Sequence, residues 1–321
     1  MVGIGNAATV MDELAAALTD VLGVGEVTDL VRLSGGASRD TFRFLADGRP
    51  LILQRQRGGD IRDMGIEADV LRAAANAGVP VPHLVANSTD PSSIGAAFMV
   101  LTAVEGETIA RKILRDDEFA TARSLLPAQL GGALAQLHRA DVSNVVGLVD
   151  VDQLSQYRAV LDFTAQPHPA FELAFRWLEQ HRPDPCPPVL VHGDFRLGNL
   201  MVGSDGLRAV LDWELAHIGD PMEDLGWLCV KAWRFGSHLP VAGVGEYREL
   251  ISAYEAASGT TLDSDVVHWW EVLGTLKWGI MCIGQAATHT TGAVRSHELA
   301  AIGRRVCENE HDLFLALEGR W

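Results

Sequence analysis

The stretch from Val189 to Leu225 limits the possible folds more than any other part of the chain. It reads VLVHGDFRLGNLMVGSDGLRAVLDWELAHIGDPMEDL. Three apolar runs of strand length, 189–191, 200–202 and 209–211, alternate with polar loops. Ser204-Asp205-Gly206 is a turn signal, so the second and third runs are expected to pair as a hairpin. Asp194, Asn199 and Asp212 then fall at the ends of short strands, on loops anchored by buried backbone. Any one of them alone reads as a turn residue. Together, behind His192-Gly193 and with Asn199 five residues after Asp194 and Asp212 thirteen after Asn199, they make a constellation.

That set suits phosphoryl transfer. An attacking hydroxyl must be oriented and must lose its proton, which a carboxylate within hydrogen-bond reach can do. The charge of a triphosphate calls for Mg²⁺, a hard ion that takes oxygen ligands. The spacing matches the protein-kinase catalytic loop, in which Asp is the base and Asn holds Mg²⁺. Asp194 is therefore the expected catalytic base, and Asn199 and Asp212 the expected metal ligands. Asp212-Trp213-Glu214 stands where kinases carry Asp-Phe-Gly. His192 reads as a structural histidine that bonds the loop backbone. Asp220 and Asp224 read as braces that accept backbone N–H groups.

The rest of the chain divides in character. Val31 and Leu33 lead through Ser34-Gly35-Gly36-Ala37-Ser38 into the alternating run 41–44. Asp47-Gly48 is a hairpin signal before a third strand at Leu51-Ile52-Leu53. Residues 66–76 read as a helix ended by Gly78, and 97–102 as a strand. From about residue 107 the pattern turns helical, with helices expected near 125–138, 171–181, 246–257, 265–287 and after Glu298. This predicts an α+β chain with a small β-rich N-terminal lobe, 1–103, and a larger, mainly helical lobe, 104–321. The glycine-rich turn 34–38 could present N–H groups to phosphates.

HGDFRLGNLMV, followed by AVLDWELAHIGDP and EDL, resembles the aminoglycoside phosphotransferase and choline kinase superfamily. Within it, the segment is similar to the kinase domain associated with acyl-CoA dehydrogenase proteins. The resemblance implies a two-lobed protein-kinase-like fold that uses ATP and Mg²⁺ to phosphorylate a small hydroxylated molecule. For that branch the molecule would be a hydroxyacyl-CoA or hydroxy acid. It implies that 34–38 covers the nucleotide and that Glu67 pairs with a third-strand cation. It also implies that main-chain groups of Thr102 and Val104 meet the adenine ring. The third strand has no lysine, so Gln54 or Arg55 takes the critical position, with Arg55 the better phosphate partner. On the substrate side, Trp213, Glu214, Trp233 and Arg234 are candidates; Trp233 and Arg234 could equally be a core ring and a salt bridge. Two other readings stay open: an aminoglycoside or another amine-bearing alcohol as acceptor, and a nucleotide-binding module that regulates a partner without chemistry.

Composition sets outer bounds. A formal net charge of -16 argues against nucleic-acid or anionic-membrane partners. Four scattered cysteines suggest neither a zinc site nor a disulfide framework, which points to a reducing cytoplasm. The apolar run 266–283 carries His268, Glu271 and Lys277, so it reads as a core helix rather than a membrane span.

Overall fold

The computed structural model describes residues 7–33, 39–57 and 63–320. The expected phosphate-facing turn, Ser34, Gly35, Gly36, Ala37 and Ser38, lies outside the described residues. The N-terminal part runs α1 (Ala7–Leu22), β1 (Val27–Arg32), β2 (Arg39–Ala46), β3 (Arg49–Gln56), α2 (Met64–Asn76), β4 (Leu84–Ser88) and β5 (Phe98–Thr102). The strands form an antiparallel sheet in the order β1-β2-β3-β5-β4. Asp47 and Gly48 close the β2–β3 hairpin with φ of 47° and 75°, the left-handed pair that a two-residue turn of matching twist requires.

Strand alternation sorts the sheet's two faces. Phe42, Phe44, Leu51, Leu53, Phe98 and Val100 pack with Leu14 and Leu18 of α1. Met99 points the other way, to Met64 and Ala68 of α2. The helix α1 has a weak signature in the sequence. Leu14 and Leu18 supply its buried stripe, and Val10 on the same helix is exposed.

The larger part contains α3 (Ala110–Arg115), α4 (Ala120–Leu137), α5 (Gln153–Thr164), α6 (Pro169–Gln180), β6 (Val189–Val191), β7 (Leu200–Gly203), β8 (Gly206–Val210) and β9 (His217–Gly219). It continues through α7 (Met222–Cys229), α8 (Tyr247–Ser258), α9 (Ser264–Thr290), α10 (His297–Ile302) and α11 (Arg305–Leu317). Helix α9 runs through the middle, and α5, α6, α7, α10 and α11 pack against it. Among the described residues, no helix is long and apolar enough to cross a membrane. All eight residues of α7 are buried, so it has no polar face from which a helical period could be read.

The chain crosses from sheet to helices over residues 102–107, and this crossing is fixed to the hairpin below it. Glu107 and Val202 exchange both backbone hydrogen bonds, at 2.9 and 3.0 Å. Arg208 donates to the Glu105 carbonyl at 3.0 Å. A side chain on Gly106 would meet the Val202 carbonyl oxygen at 2.9 Å, so only glycine allows this approach. Strand β8 is tied upward as well, through Val210 N–H to the Pro80 carbonyl at 2.8 Å.

Candidate active site

Strand β6 pairs with β9 and delivers the chain into the loop that begins at His192. Gly193 has φ of 77°, and a Cβ there would sit 2.5 Å from the Leu215 carbonyl oxygen. The His-Gly-Asp order thus reflects a backbone turned against β9, where no side chain fits. His192 is fully buried, and burial lowers its pKa. As a neutral ring it donates from Nε2 to the Leu211 carbonyl at 3.0 Å and accepts the Asp194 N–H at Nδ1, 3.2 Å. It is a spacer between the loop and the segment that leads from the end of β8 to Asp212.

Asp224, fully buried at the start of α7, accepts the N–H of His192 at 2.8 Å and of Gly193 at 3.0 Å. His138 lies 3.3 Å away and is bonded in turn to the Tyr254 hydroxyl at 2.9 Å. Burial alone would raise the Asp224 carboxyl; His138 and the backbone N–H of His192 outweigh it and hold the group below the usual range. Asp220 accepts the Met222 N–H at 2.8 Å, so its bond serves the entry to α7 and not the loop. Because the Asp224 pKa is depressed, its stabilisation is present above the ordinary carboxyl pKa, about 4, and is lost as pH falls through the folded-state value. Asp224→Asn is expected to lower stability at neutral pH by about 1–3 kcal/mol and to flatten the acid limb. Melting temperature against pH for both proteins checks this; parallel acid limbs would show that Asp224 carries no linked charge.

The three residues singled out by spacing converge. Asp194 Oδ1 accepts from Arg196 Nε at 3.0 Å and from the Trp227 indole at 2.8 Å. Its Oδ2 accepts from Asn199 Nδ2 at 2.6 Å, and the same nitrogen reaches the Asp194 carbonyl at 3.0 Å. Its nitrogen is committed twice to Asp194, which leaves the Asn199 amide oxygen outside both bonds. The Asn199 carbonyl accepts the Leu211 N–H at 2.8 Å and sets Asn199 beside Asp212.

Asp212 has φ of 63°, a left-handed conformation that Asp tolerates better than most residues. It opens to solvent in the cleft yet is ringed by charge. Desolvation, then Glu214 and Asp194, with a smaller push from Glu67, drive its carboxyl up to about 6 against the pull of Arg39. This excess of carboxylate fits a divalent cation. Among the described residues, no group of three or more His, Cys, Asp or Glu forms a metal cage. An amide oxygen and one carboxylate are the set Mg²⁺ uses when phosphates and water complete its shell.

Glu67 has a different partner from the one expected. Alternation places Arg55 on the leucine face of β3, toward α1 rather than the cleft. There it lies 6.0 Å from the Phe42 ring, 3.8 Å from Asp40, and donates to the Ile94 carbonyl at 3.5 Å. Gln54 takes the opposite face. The cation that meets Glu67 is Arg39, from β2: Nη1 donates to Oε1 at 2.7 Å and Nη2 to Oε2. Arg39 also reaches Gln54 Oε1 at 3.3 Å and lies 3.6 Å from Glu214. Sequence reasoning missed Arg39 because it looked for the cation on the third strand only.

Several expectations on the substrate side, and one on the nucleotide side, are corrected. Trp213 is buried, donates to the Val210 carbonyl at 3.2 Å and packs on His192 with ring centroids 4.6 Å apart, so it is core behind the loop. Glu214 belongs to the Arg39 cluster. Arg234 is buried and gives its guanidinium to Glu271 at 2.7 Å, with further bonds to the Cys229 carbonyl at 3.0 and 2.9 Å. It therefore offers no exposed charge to the cleft. Trp233 is buried against Trp227 and Trp278, at 5.2 and 4.8 Å, with the Arg196 guanidinium 4.8 Å from its ring. Thr102 gives its N–H to the His83 carbonyl and accepts the His83 N–H at its hydroxyl, both at 2.9 Å. Its N–H is thus not available to a bound ring. Val104 is half-buried at the same crossing.

A buried charge network under the loop also escaped the sequence reading. Lys277 of α9 donates to the Gly193 carbonyl at 3.2 Å and to Glu223 at 3.1 Å. Glu223 accepts from His217 at 3.0 Å, whose other nitrogen bonds the Leu215 carbonyl at 2.9 Å. Burial lowers the His217 pKa, but Glu223 more than offsets this and the net shift is upward. The one available signal was a lysine inside the apolar α9 run.

The family model described as "Phosphotransferase enzyme family" matches residues 29–263. Acyl-CoA dehydrogenase family member 10 of Mus musculus is 30% identical over 228 residues, covering 66% of this chain and 21% of that protein. Member 11 of Gallus gallus is 28% identical over 317 residues, covering 87% and 40%. The chain spans less than half the length of either relative. Among solved structures, spectinomycin phosphotransferase in complex with ADP and spectinomycin aligns with a TM-score of 0.69 at 12% identity, covering 95% of this chain and 98% of that one. That likeness is one of fold.

Proposed function

The chain belongs to the phosphotransferase enzyme family, and from that premise we propose that it moves the γ-phosphate of ATP to a hydroxyl of a small molecule. The observation that carries this reading is the convergence of Asp194, Asn199 and Asp212, with the Asn199 nitrogen spent on Asp194. Asp194 accepts the proton of the attacking hydroxyl. Arg196, Trp227 and Asn199 hold its carboxylate in one orientation, so little rearrangement is needed as the proton arrives. Asn199 and Asp212 would hold Mg²⁺, which when bound neutralises charge on the phosphates. Arg196 stays near the base, where its charge also favours the phosphoryl group.

The acceptor we favour is a hydroxylated acyl compound or hydroxy acid, carried as a coenzyme A thioester or free. A cavity of about 820 Å³ opens beside residues 231–234, and Arg111, Lys231, Arg305 and His311 are among its lining residues. Lys231 is shared with Asp312 at 2.7 Å. Glu308 and Asp312 also line it and Arg305 is shared with Glu308 at 3.2 Å, so the cations Arg111, Lys231, Arg234 and Arg305 exceed the lining carboxylates by two, a modest surplus in a chain of net charge -16 that favours an anionic acceptor. The names of the acyl-CoA dehydrogenase relatives agree with it. A second reading, an amine-bearing alcohol, draws on the overall acidity and on the spectinomycin complex. Measuring ADP release with Mg-ATP, with hydroxyacyl-CoAs and aminoglycosides side by side, separates them. Turnover on the acyl compounds is expected; turnover on kanamycin-like compounds alone would reverse the choice.

A further inference from the structure

The geometry points to Arg39, carried by β2, as the cation that holds the α- and β-phosphates of the nucleotide, in place of a cation on β3. This rests on the kinase reading above. A cation that serves the phosphates must come from the sheet, face the helix α2 and meet its glutamate. The polar residues of β3 on this face, Gln54 and Gln56, are uncharged. Arg55 is turned to the α1 side with Phe42 and Asp40. Arg39 stands on the adjacent strand, its backbone opposite Gln56, and its guanidinium reaches back to the Gln54 amide oxygen.

Its hydrogen bonds leave one donor unmatched. Two nitrogens engage Glu67, and one of these also meets Gln54. Arg39 is 5% exposed, and among the described residues its buried Nε–H has no acceptor. An unmatched donor on a buried cation is costly, and an anionic oxygen is the partner that satisfies it best. Glu67 fixes the guanidinium from α2, and Asp212 and Glu214 act on it from the catalytic side. Arg39 thus stands between the helix glutamate and the proposed metal ligand. Moving the charge from one strand to its neighbour also accounts for the missing lysine without loss of a phosphate clamp.

The test is calorimetry on the whole protein with Mg-ADP and, in parallel, with adenosine. Arg39→Gln is expected to weaken Mg-ADP by about tenfold or more and to leave adenosine within about twofold. Removing one partner of a buried pair can harm folding, so Arg39→Gln/Glu67→Gln serves as a charge-neutral control. It is expected to melt as a folded protein and to show the same selective loss. Arg39→Gln/Gln54→Lys, which returns the cation to β3 beside an intact Glu67, is expected to recover most of the Mg-ADP affinity. Mg-ADP binding by the folded Arg39→Gln/Glu67→Gln variant within about twofold of the unaltered protein would overturn the assignment. So would equal losses for ADP and adenosine, the mark of a purely structural role. If the unaltered protein binds no Mg-ADP, the kinase reading falls and takes this assignment with it.

Discussion

Asp194→Asn is expected to lower phosphoryl transfer by about two to four orders of magnitude while changing Mg-ATP affinity far less. Asparagine keeps one oxygen to accept from Arg196 and Trp227, which now meet Asp194 Oδ1 at 3.0 and 2.8 Å. What it removes is the oxygen that can take a proton. It also sets an NH2 against the Asn199 Nδ2–H that Oδ2 accepts at 2.6 Å, so Asn199 keeps only its bond to the Asp194 carbonyl at 3.0 Å. Alanine would be a poorer probe, because it would also strand the Trp227 N–H and the Arg196 Nε–H. Single-turnover transfer and nucleotide calorimetry on the same preparation check the prediction. Retention of more than about a tenth of the normal rate would show that the proton leaves by another route.

Asp212→Asn is expected to abolish turnover and to remove the metal-dependent part of ATP binding, without unfolding the protein. Asparagine accepts the left-handed φ of 63° as readily as aspartate, so the backbone has no reason to shift. The unliganded variant should be as stable as the normal protein, or more stable by up to about 1 kcal/mol. In the unaltered protein the Asp212 carboxyl is pushed up to about 6 by desolvation and by Glu214 and Asp194, so its ionised form is disfavoured there. Solvent in the cleft screens that repulsion, which keeps the gain small. Titrations with Mg-ATP and with metal-free ATP, plus melting curves without ligand, give the readout. Equal loss of both forms of ATP, with a lower melting temperature, would make Asp212 a fold residue.

The segment from Val189 to Leu225 was legible because its pattern is local. The strand–turn–strand pattern around Ser204-Asp205-Gly206 appears as β7 and β8, and Asp194, Asn199 and Asp212 meet because that hairpin is short. His192 and Asp224 fall in the bracing roles expected of them, because a tight loop leaves backbone N–H groups that need acceptors. The N-terminal sheet was legible from its alternation, and that same alternation placed Arg55 with the leucines. Preference for an arginine at the phosphates then overrode the geometric signal. Arg39 was hidden for a different reason. Its role depends on which strand lies beside β3, a fact of pairing that spacing along the chain does not carry. The substrate wall failed similarly: Trp213, Trp233 and Arg234 have the composition of a binding surface, yet all three are buried within the larger lobe. An arginine just past α7 can face outward or inward, and Glu271 on α9, 37 residues away, decides it.

The most direct test of the account follows the γ-phosphate itself. Phosphorus NMR of the unaltered protein with Mg-ATP and a pooled set of hydroxylated acceptors should show a new phosphomonoester signal that grows in step with ADP and disappears in the Asp194→Asn variant. ADP appearing with inorganic phosphate alone, or ATP left intact in the presence of every acceptor, would contradict the assignment of this site to phosphoryl transfer onto a hydroxyl.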